Sequence, residues 1–173
     1  RMAPATEREL PRLLELLRDE SENVRKISLV ALGRCGPGAA RTIPMVLEHL
    51  ADRSGVTREL AARALRWIGL PDGKDVPGLM RGLQDKEKSH HIRAYLAGSL
   101  PAATVAPTLC AIATDVEDQL PVRRAAVKAL GKVRSKSTVL AVAMALVDDD
   151  LLLRWWAAQA LKDMGEDAKG ATE

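Results

Sequence analysis

The chain has 173 residues, of which 47% are apolar and 28% charged, and its net charge is +3. This apolar content excludes an intrinsically disordered chain, and the length suffices for one domain with a sizeable core. No apolar stretch reaches the roughly eighteen residues of a membrane span, which excludes a transmembrane helix. The mild positive charge permits an acidic partner without requiring one.

The residue composition favours an all-α protein in a reducing compartment. The chain has no Phe and one Tyr, and its most frequent apolar residues, Ala and Leu, are strong helix formers. Two cysteines, Cys35 and Cys110, stand in apolar helical contexts and give no disulfide framework. The chain also begins without an apolar signal region. We therefore expect free thiols, no membrane attachment and a cytoplasmic location.

Five copies of one pattern follow each other along the chain. Pro11, Pro44, Pro77 and Pro107 open the first four copies, and Leu140 takes the proline's place in the fifth. An aspartate comes eight residues after each of these positions, and an arginine follows six or eight residues later. The pattern divides the chain into repeats at approximately 5–41, 42–73, 74–104, 105–137 and 138–171. The aspartates are Asp19, Asp52, Asp85, Asp115 and Asp148, and the arginines are Arg25, Arg58, Arg93, Arg123 and Arg154.

Each repeat is predicted to form two helices. Proline suits the first turn of the first helix, where its missing N–H costs nothing. The second helix begins just before the arginine and ends at glycine, as Gly36, Gly69 and Gly165 indicate, whereas Gly33 and Gly131 fall one turn earlier. Because the connections are only a few residues long, the two helices must be antiparallel neighbours.

The motifs "LPRLLELL", "VRKISLVALG" and "VRRAAVKALG" resemble HEAT repeats in the short bacterial form, which bilin-lyase-like proteins also contain. The resemblance extends from about Leu10 to Gly165. It implies a single-domain, right-handed α-solenoid of about five antiparallel helix pairs over residues 1–173. It also implies that the repeat aspartates and arginines pair in a hydrogen-bonded ladder between successive repeats, a structural role.

The second helices of HEAT stacks line the concave face, so their exposed residues define a candidate binding surface. Trp67 and Trp155 fall on or beside this surface, whereas Trp156 aligns with Ile27 and Leu60 and is expected in the core. Glu59 and Asp163 are the acids that oppose the positive charge there, so we expect a basic face. We call its cationic positions the basic stripe: Lys26, Arg34, Arg63, Arg66, Arg124, Lys128, Lys132 and Lys162.

The sequence therefore predicts a non-catalytic protein-interaction scaffold that binds an acidic partner on a basic concave face. Two alternatives stay open: a DNA-binding protein of the alkylation-repair glycosylase type, and a bilin-lyase-like protein. Nucleic acid is a possible partner in place of protein. No metal or cofactor is expected, because His49, His90 and His91 lack the spacing of a metal site. The apolar helix Val139–Val147 favours self-association or a flanking domain that covers it.

Overall fold

The computed structural model describes residues 9–69 and 76–165, and these residues form helices and short connections without a strand. The chain divides into two compact units, Arg1–Asp75 and Val76–Glu173. Unit 1 contains the first two predicted repeats, and unit 2 contains the other three. One domain over residues 1–173 stays a prediction.

Unit 1 consists of two helix pairs. The helices are α1 (Leu10–Leu16), α2 (Glu22–Arg34), α3 (Ile43–Glu48) and α4 (Gly55–Ile68), with 3-10 turns at Gly36–Thr42 and His49–Ala51. The first helix of each repeat packs on the second, and the second helices α2 and α4 pack against each other. His49 joins the first helices, because its Nε2 lies 2.8 Å from the Leu17 carbonyl and its Nδ1 3.0 Å from the Met45 carbonyl.

Unit 2 consists of three helix pairs. Its helices are α5 (Val76–Gln84), α6 (His90–Ser99), α7 (Ala102–Thr114), α8 (Leu120–Leu130), α9 (Lys136–Met144) and α10 (Leu151–Met164), with a 3-10 turn at Ala145–Val147 between α9 and α10. The second helices pack in the order α6, α8, α10, while α7 packs on α9. The layered pairs are the arrangement that repeat stacking requires, because one pair alone cannot bury its apolar face.

The core follows the helical period of the repeated pattern. The position three residues after each repeat arginine is buried in all five repeats, and the repeat leucines four residues further on are buried in the first four. These two positions lie on one face of the helix, one turn apart. The buried leucines are Leu32, Leu65, Leu100 and Leu130, whereas Leu161 in the last repeat is half-buried.

Two glycines serve close packing between repeats: Gly33 lies inside α2, and Gly131 is the residue at which α8 ends. A Cβ on Gly33 would lie 2.6 Å from the Trp67 ring and 3.1 Å from the Ala64 Cα. A Cβ on Gly131 would lie 2.9 Å from the Ala160 Cβ. Gly33 and Gly131 are equivalent positions, so both units bring neighbouring second helices together at the same point. The predicted stops have positive φ at Gly36, Gly69 and Gly165.

Pro11 and Pro44 open the first helices of their repeats as predicted, whereas the proline of the fourth repeat does not. Pro11 and Pro44 stand in the first turns of α1 and α3. Pro107, in contrast, lies inside α7, which already begins at Ala102. The helix tolerates this proline at the loss of one backbone hydrogen bond, and the fourth repeat therefore starts earlier than the sequence pattern indicates.

Candidate protein-interaction surface

The repeat aspartates first of all fix the turns between paired helices. In every repeat, the aspartate Oδ1 accepts a hydrogen bond from the backbone N–H two residues later, which is a turn that Asp favours. The five bonds are Asp19–Ser21 at 2.8 Å, Asp52–Ser54 at 2.8 Å, Asp85–Glu87 at 3.1 Å, Asp115–Glu117 at 3.1 Å and Asp148–Asp150 at 3.0 Å.

Three of the repeat arginines hold the same turns from the other side. Arg25 Nη1 donates to the carbonyls of Asp19 and Glu20, both at 2.9 Å. Arg58 and Arg154 each bind the carbonyls of their own repeat aspartate and the residue after it. These contacts satisfy backbone groups that no helix bond reaches, so the three arginines stabilise the turns.

Two arginines also reach the aspartate of the next repeat. Arg25 Nε donates to Asp52 at 2.8 Å in unit 1, and Arg123 Nη2 donates to Asp148 at 2.6 Å in unit 2. Arg25 and Arg123 are buried. The repeat aspartates on its other side, Asp115 in its own repeat and Asp85 in the preceding one, do not bind Arg123.

The third repeat departs from the ladder that the resemblance implies. Arg93 is 1% exposed, and it forms two hydrogen bonds of 2.6 Å with Asp118 instead of binding Asp115. Its Nε donates to the Leu83 carbonyl at 2.8 Å. The turn before Arg123 is two residues longer than the first turn, which carries Asp115 away from the buried arginine. Asp115 binds Lys86 at the surface instead, at 2.6 Å.

The buried pairs shift the acid equilibria of the aspartates. Burial works to raise the pKa of the Asp118 carboxyl, but hydrogen bonds from Arg93 and the Gln119 N–H outweigh it and hold the pKa below its ordinary value. The same balance lowers the pKa of Asp52 beside Arg25. The pKa of Asp148 is also lowered, because hydrogen bonds from the Asp150 N–H and from Arg123 outweigh the effect of burial. These carboxylates stay ionised at neutral pH.

Unit 1 presents its part of the basic stripe on α2 and α4. Arg34, Arg63 and Arg66 are exposed. Lys26 is half-buried and is bound to Glu22 at 3.1 Å, so its charge is largely compensated. The guanidinium of Arg63 lies 5.2 Å from the centre of the Trp67 ring.

Apolar surface accompanies these cations. Trp67 is 46% exposed and Ile27 is 65% exposed. A shallow groove of about 230 Å³ lies between the two helices, and its lining is Lys26, Ile27, Val30, Ala31, Arg34 and Leu60. Unit 1 therefore offers an apolar floor with positive charge at its rim.

Unit 2 presents Lys128, Lys132 and Lys162 as exposed cations. Arg124 differs from them, because Asp150 at the start of α10 binds its guanidinium with an Nε–Oδ1 distance of 2.9 Å. Hydrogen bonding to Asp150 raises the pKa of Arg124. Asp150 also accepts the Leu153 N–H and caps α10. Arg124 thus ties α8 to α10, and its charge is compensated within the unit.

The two adjacent tryptophans lie at the edge of this surface. Trp155 is 55% exposed. It directly follows its repeat arginine, as Lys26 and Arg124 do, and exposure agrees with the expectation that this repeat position lies on the second-helix surface. Trp156 is half-buried, and the Lys128 Nζ lies 4.4 Å from the centre of its ring. The prediction that Trp156 belongs to the core is wrong. That prediction rested on its alignment with Ile27, and Ile27 is itself 65% exposed. The buried position comes one residue later, at Ala157.

Sequence reasoning missed the acids that compensate the stripe and the ladder. Glu22, Asp118 and Asp150 belong to turns or first turns, where the pattern gave them no role. A signal was present for Asp150, because it directly precedes the second helix α10 and carboxylates favour that N-cap place. Asp118 lies two residues before α8, where the pattern gave no such signal. The pairing partner itself depends on the stacking of repeats.

The apolar helix of the fifth repeat is partly exposed. Val139, Ala141 and Val142 are buried, whereas Leu140 is 45%, Met144 61% and Val147 86% exposed. The helix therefore presents an apolar strip on its outer side.

The described ranges give little support for three other kinds of site: a metal site, a membrane-spanning helix and a reactive cysteine. Residues 9–69 and 76–165 contain no group of three or more potential metal ligands. No helix among them is long and apolar enough to cross a membrane. Cys35 and Cys110 form no disulfide and are half-buried, and burial raises the pKa of both thiols, which makes them weak nucleophiles.

Comparison with known families agrees with the repeat pattern. A family model described as HEAT repeats matches residues 10–99 and 106–171. The chain belongs to the HEAT-repeat family, an α-solenoid class whose members are typical protein-interaction scaffolds. No curated protein matches the chain significantly.

Proposed function

We propose that this protein is a non-catalytic scaffold whose second-helix surface binds an acidic protein segment. The observation that carries the proposal is the coincidence of uncompensated cations with exposed tryptophan in each unit. Among the described residues, Arg34 and Arg66 in unit 1 and Lys132 and Lys162 in unit 2 have no carboxylate within ion-pair distance. Such cations gain more from an acidic partner than paired ones do.

The tryptophans supply apolar contact area beside the charge. Trp67 lies against Arg63 in unit 1, and Trp155 lies against Trp156, with ring centres 4.6 Å apart, in unit 2. Trp and Arg are enriched among the residues that dominate binding energy at protein interfaces. A purely electrostatic surface for nucleic acid has no need of them at these positions, so a protein segment is the favoured partner.

The test measures binding of fluorescent acidic peptides by anisotropy, with peptides that carry Gln in place of each Glu as the ligand control. The stripe variant is Lys128→Glu with Lys132→Glu. A matched control, Arg18→Glu with Arg81→Glu, reverses two exposed arginines outside the second helices. We expect the stripe variant to weaken binding at least about tenfold, which corresponds to 1.4 kcal/mol, and the control to bind like the wild type.

Two results would contradict the proposal. One is equal binding of the Glu and Gln peptides, which would remove charge as the basis of recognition. The other is tighter binding of duplex DNA than of any peptide, with a steep salt dependence that the stripe variant abolishes. That second result would establish the nucleic-acid alternative.

A further inference from the structure

A second surface of unit 2 is opposite in charge to the basic stripe, because it combines exposed apolar side chains with acids. Val116 is 71%, Met144 61% and Val147 86% exposed. All three line a groove of about 210 Å³ between the end of α7 and the 3-10 turn after α9. We call this surface the acidic-apolar edge and define it as Val116, Glu117, Met144, Val147 and Asp149.

The volume of the groove limits what it accepts. Small-molecule pockets typically span about 300–1,000 Å³ and enclose most of their ligand. A groove of about 210 Å³ is smaller and takes one or two side chains. Its open rim is apolar, so an incoming Leu, Ile or Met side chain would cover Val147 and Met144.

The charges around the groove indicate a cationic partner. The two turns that form this edge contain six acids, and four of them have a cationic partner: Asp115 with Lys86, Asp118 with Arg93, Asp148 with Arg123 and Asp150 with Arg124. Glu117 and Asp149 are exposed, and no described cation lies within ion-pair distance of either carboxylate. Each directly follows or lies close to an exposed valine.

From this arrangement, we propose that the acidic-apolar edge docks a partner segment that combines an apolar anchor with Lys or Arg. The anchor enters the groove between Val116 and Val147, and the cations meet Glu117 and Asp149. A segment of this chemistry is repelled by the basic stripe, so the two surfaces accept different partners. The protein then joins an acidic segment to a basic one, and this second site does not depend on the first.

The experiment selects binders from a random peptide library displayed on phage and sequences the peptides retained by the full chain. Selected peptides are then measured against two edge variants: Met144→Ser with Val147→Ser, and Glu117→Lys with Asp149→Lys. The matched control is Val56→Ser, which changes an exposed valine of unit 1. Each changed position is exposed, and circular dichroism melts verify that all variants fold like the wild type.

We expect a class of peptides that carries Leu, Ile or Met next to Lys or Arg. Both edge variants should weaken this class at least about tenfold, while Val56→Ser and the stripe variant leave its affinity unchanged. Absence of the class, or its unchanged binding to both edge variants, would overturn the inference. So would a concentration-dependent dimer in sedimentation that the edge variants abolish, because a second copy would then be the occupant. Loss of acidic-peptide binding alone bears on the proposed function and leaves this edge unaffected.

Discussion

Arg93 and Asp118 form a two-pronged ion pair between successive repeats, with both hydrogen bonds at 2.6 Å and both side chains 2% exposed. The third donor of Arg93 is satisfied by the Leu83 carbonyl. A buried charge pair in which each guanidinium nitrogen has an acceptor stabilises the packing of α6 on the following repeat, because removal of either partner leaves a charge stranded away from water.

The first prediction concerns the stability that Arg93 contributes. Arg93→Ala should lower the free energy of unfolding by about 3–5 kcal/mol, and Arg93→Lys should also destabilise, because an ammonium group cannot form the planar two-pronged contact. Arg123→Ala should cost less, since the Arg123 Nε already lacks a hydrogen-bond partner among the described residues. Denaturant melts measure all three.

Arg12→Ala provides the control for these melts, because its pair with Glu15 is mostly exposed and such pairs contribute about 0–1 kcal/mol. A melt of Arg93→Ala that matches that of Arg12→Ala would show that the buried pair is not important for stability.

The second prediction concerns the loss of folding stability as the pH falls. The folded pKa of Asp118 lies below its ordinary value, so its contribution is present above the unfolded pKa of about 3.9 and is lost as pH falls through the folded pKa. Asp118→Asn should therefore be less stable at neutral pH, and its stability should approach that of the wild type in acid. Parallel stability curves for the two proteins would disprove the link.

The third prediction tests the close approach of second helices. Gly131→Ala should destabilise by about 1–3 kcal/mol, as overpacking does, because the new Cβ would lie 3.0 Å from the Ala160 Cα. Gly98→Ala is the control: no atom from outside its own helix backbone lies within 4 Å of the Cβ that alanine would add, so this helical position should gain up to about 1 kcal/mol. Thermal melts compare the two, and a second change, Ala160→Gly, should partly restore Gly131→Ala. Equal effects at both glycines would argue against close packing.

The fourth prediction separates the adjacent tryptophans. Trp156→Ala should cost about 1–2 kcal/mol of stability, less than the roughly 3–5 of a fully buried aromatic, because the ring is half-buried and its contacts include the exposed Trp155 ring and the Lys128 ammonium. Trp155→Ala should leave the melt nearly unchanged and should weaken acidic-peptide binding by about 2 kcal/mol. If Trp155→Ala destabilises the fold more than Trp156→Ala does, the exposed and packed assignments must be exchanged.

The repeat pattern predicted the class of fold because each copy encodes the same local physics. The apolar period defines the buried face, and the glycine stops and short connections define antiparallel pairs. The pattern did not locate the start of α7, since Pro107 is tolerated inside that helix. Boundaries depend on tertiary packing that a single proline does not report.

The candidate site was less accessible to sequence reasoning than the fold. Exposure of Lys128 and Lys132 follows from the helical period alone. The compensation of Arg124 by Asp150 and the pairing of Arg93 with Asp118 depend on which turn of the next repeat comes near. The half-buried place of Trp156 likewise depends on the side chain of Lys128 above it. Contacts between repeats are set by stacking geometry, which no one-dimensional pattern contains.

The most direct test of an acidic partner on the second helices uses the three tryptophans as site-specific reporters. Each indole N–H gives one signal in a ¹⁵N–¹H correlation spectrum, and single Trp→Phe variants assign the three signals. Titration with an acidic peptide should shift the signals of Trp67 or Trp155 and the amides around Lys132, in a manner that salt reverses. Shifts confined to first-helix residues such as Leu13 and Arg81, with all three indole signals unmoved, would contradict the account.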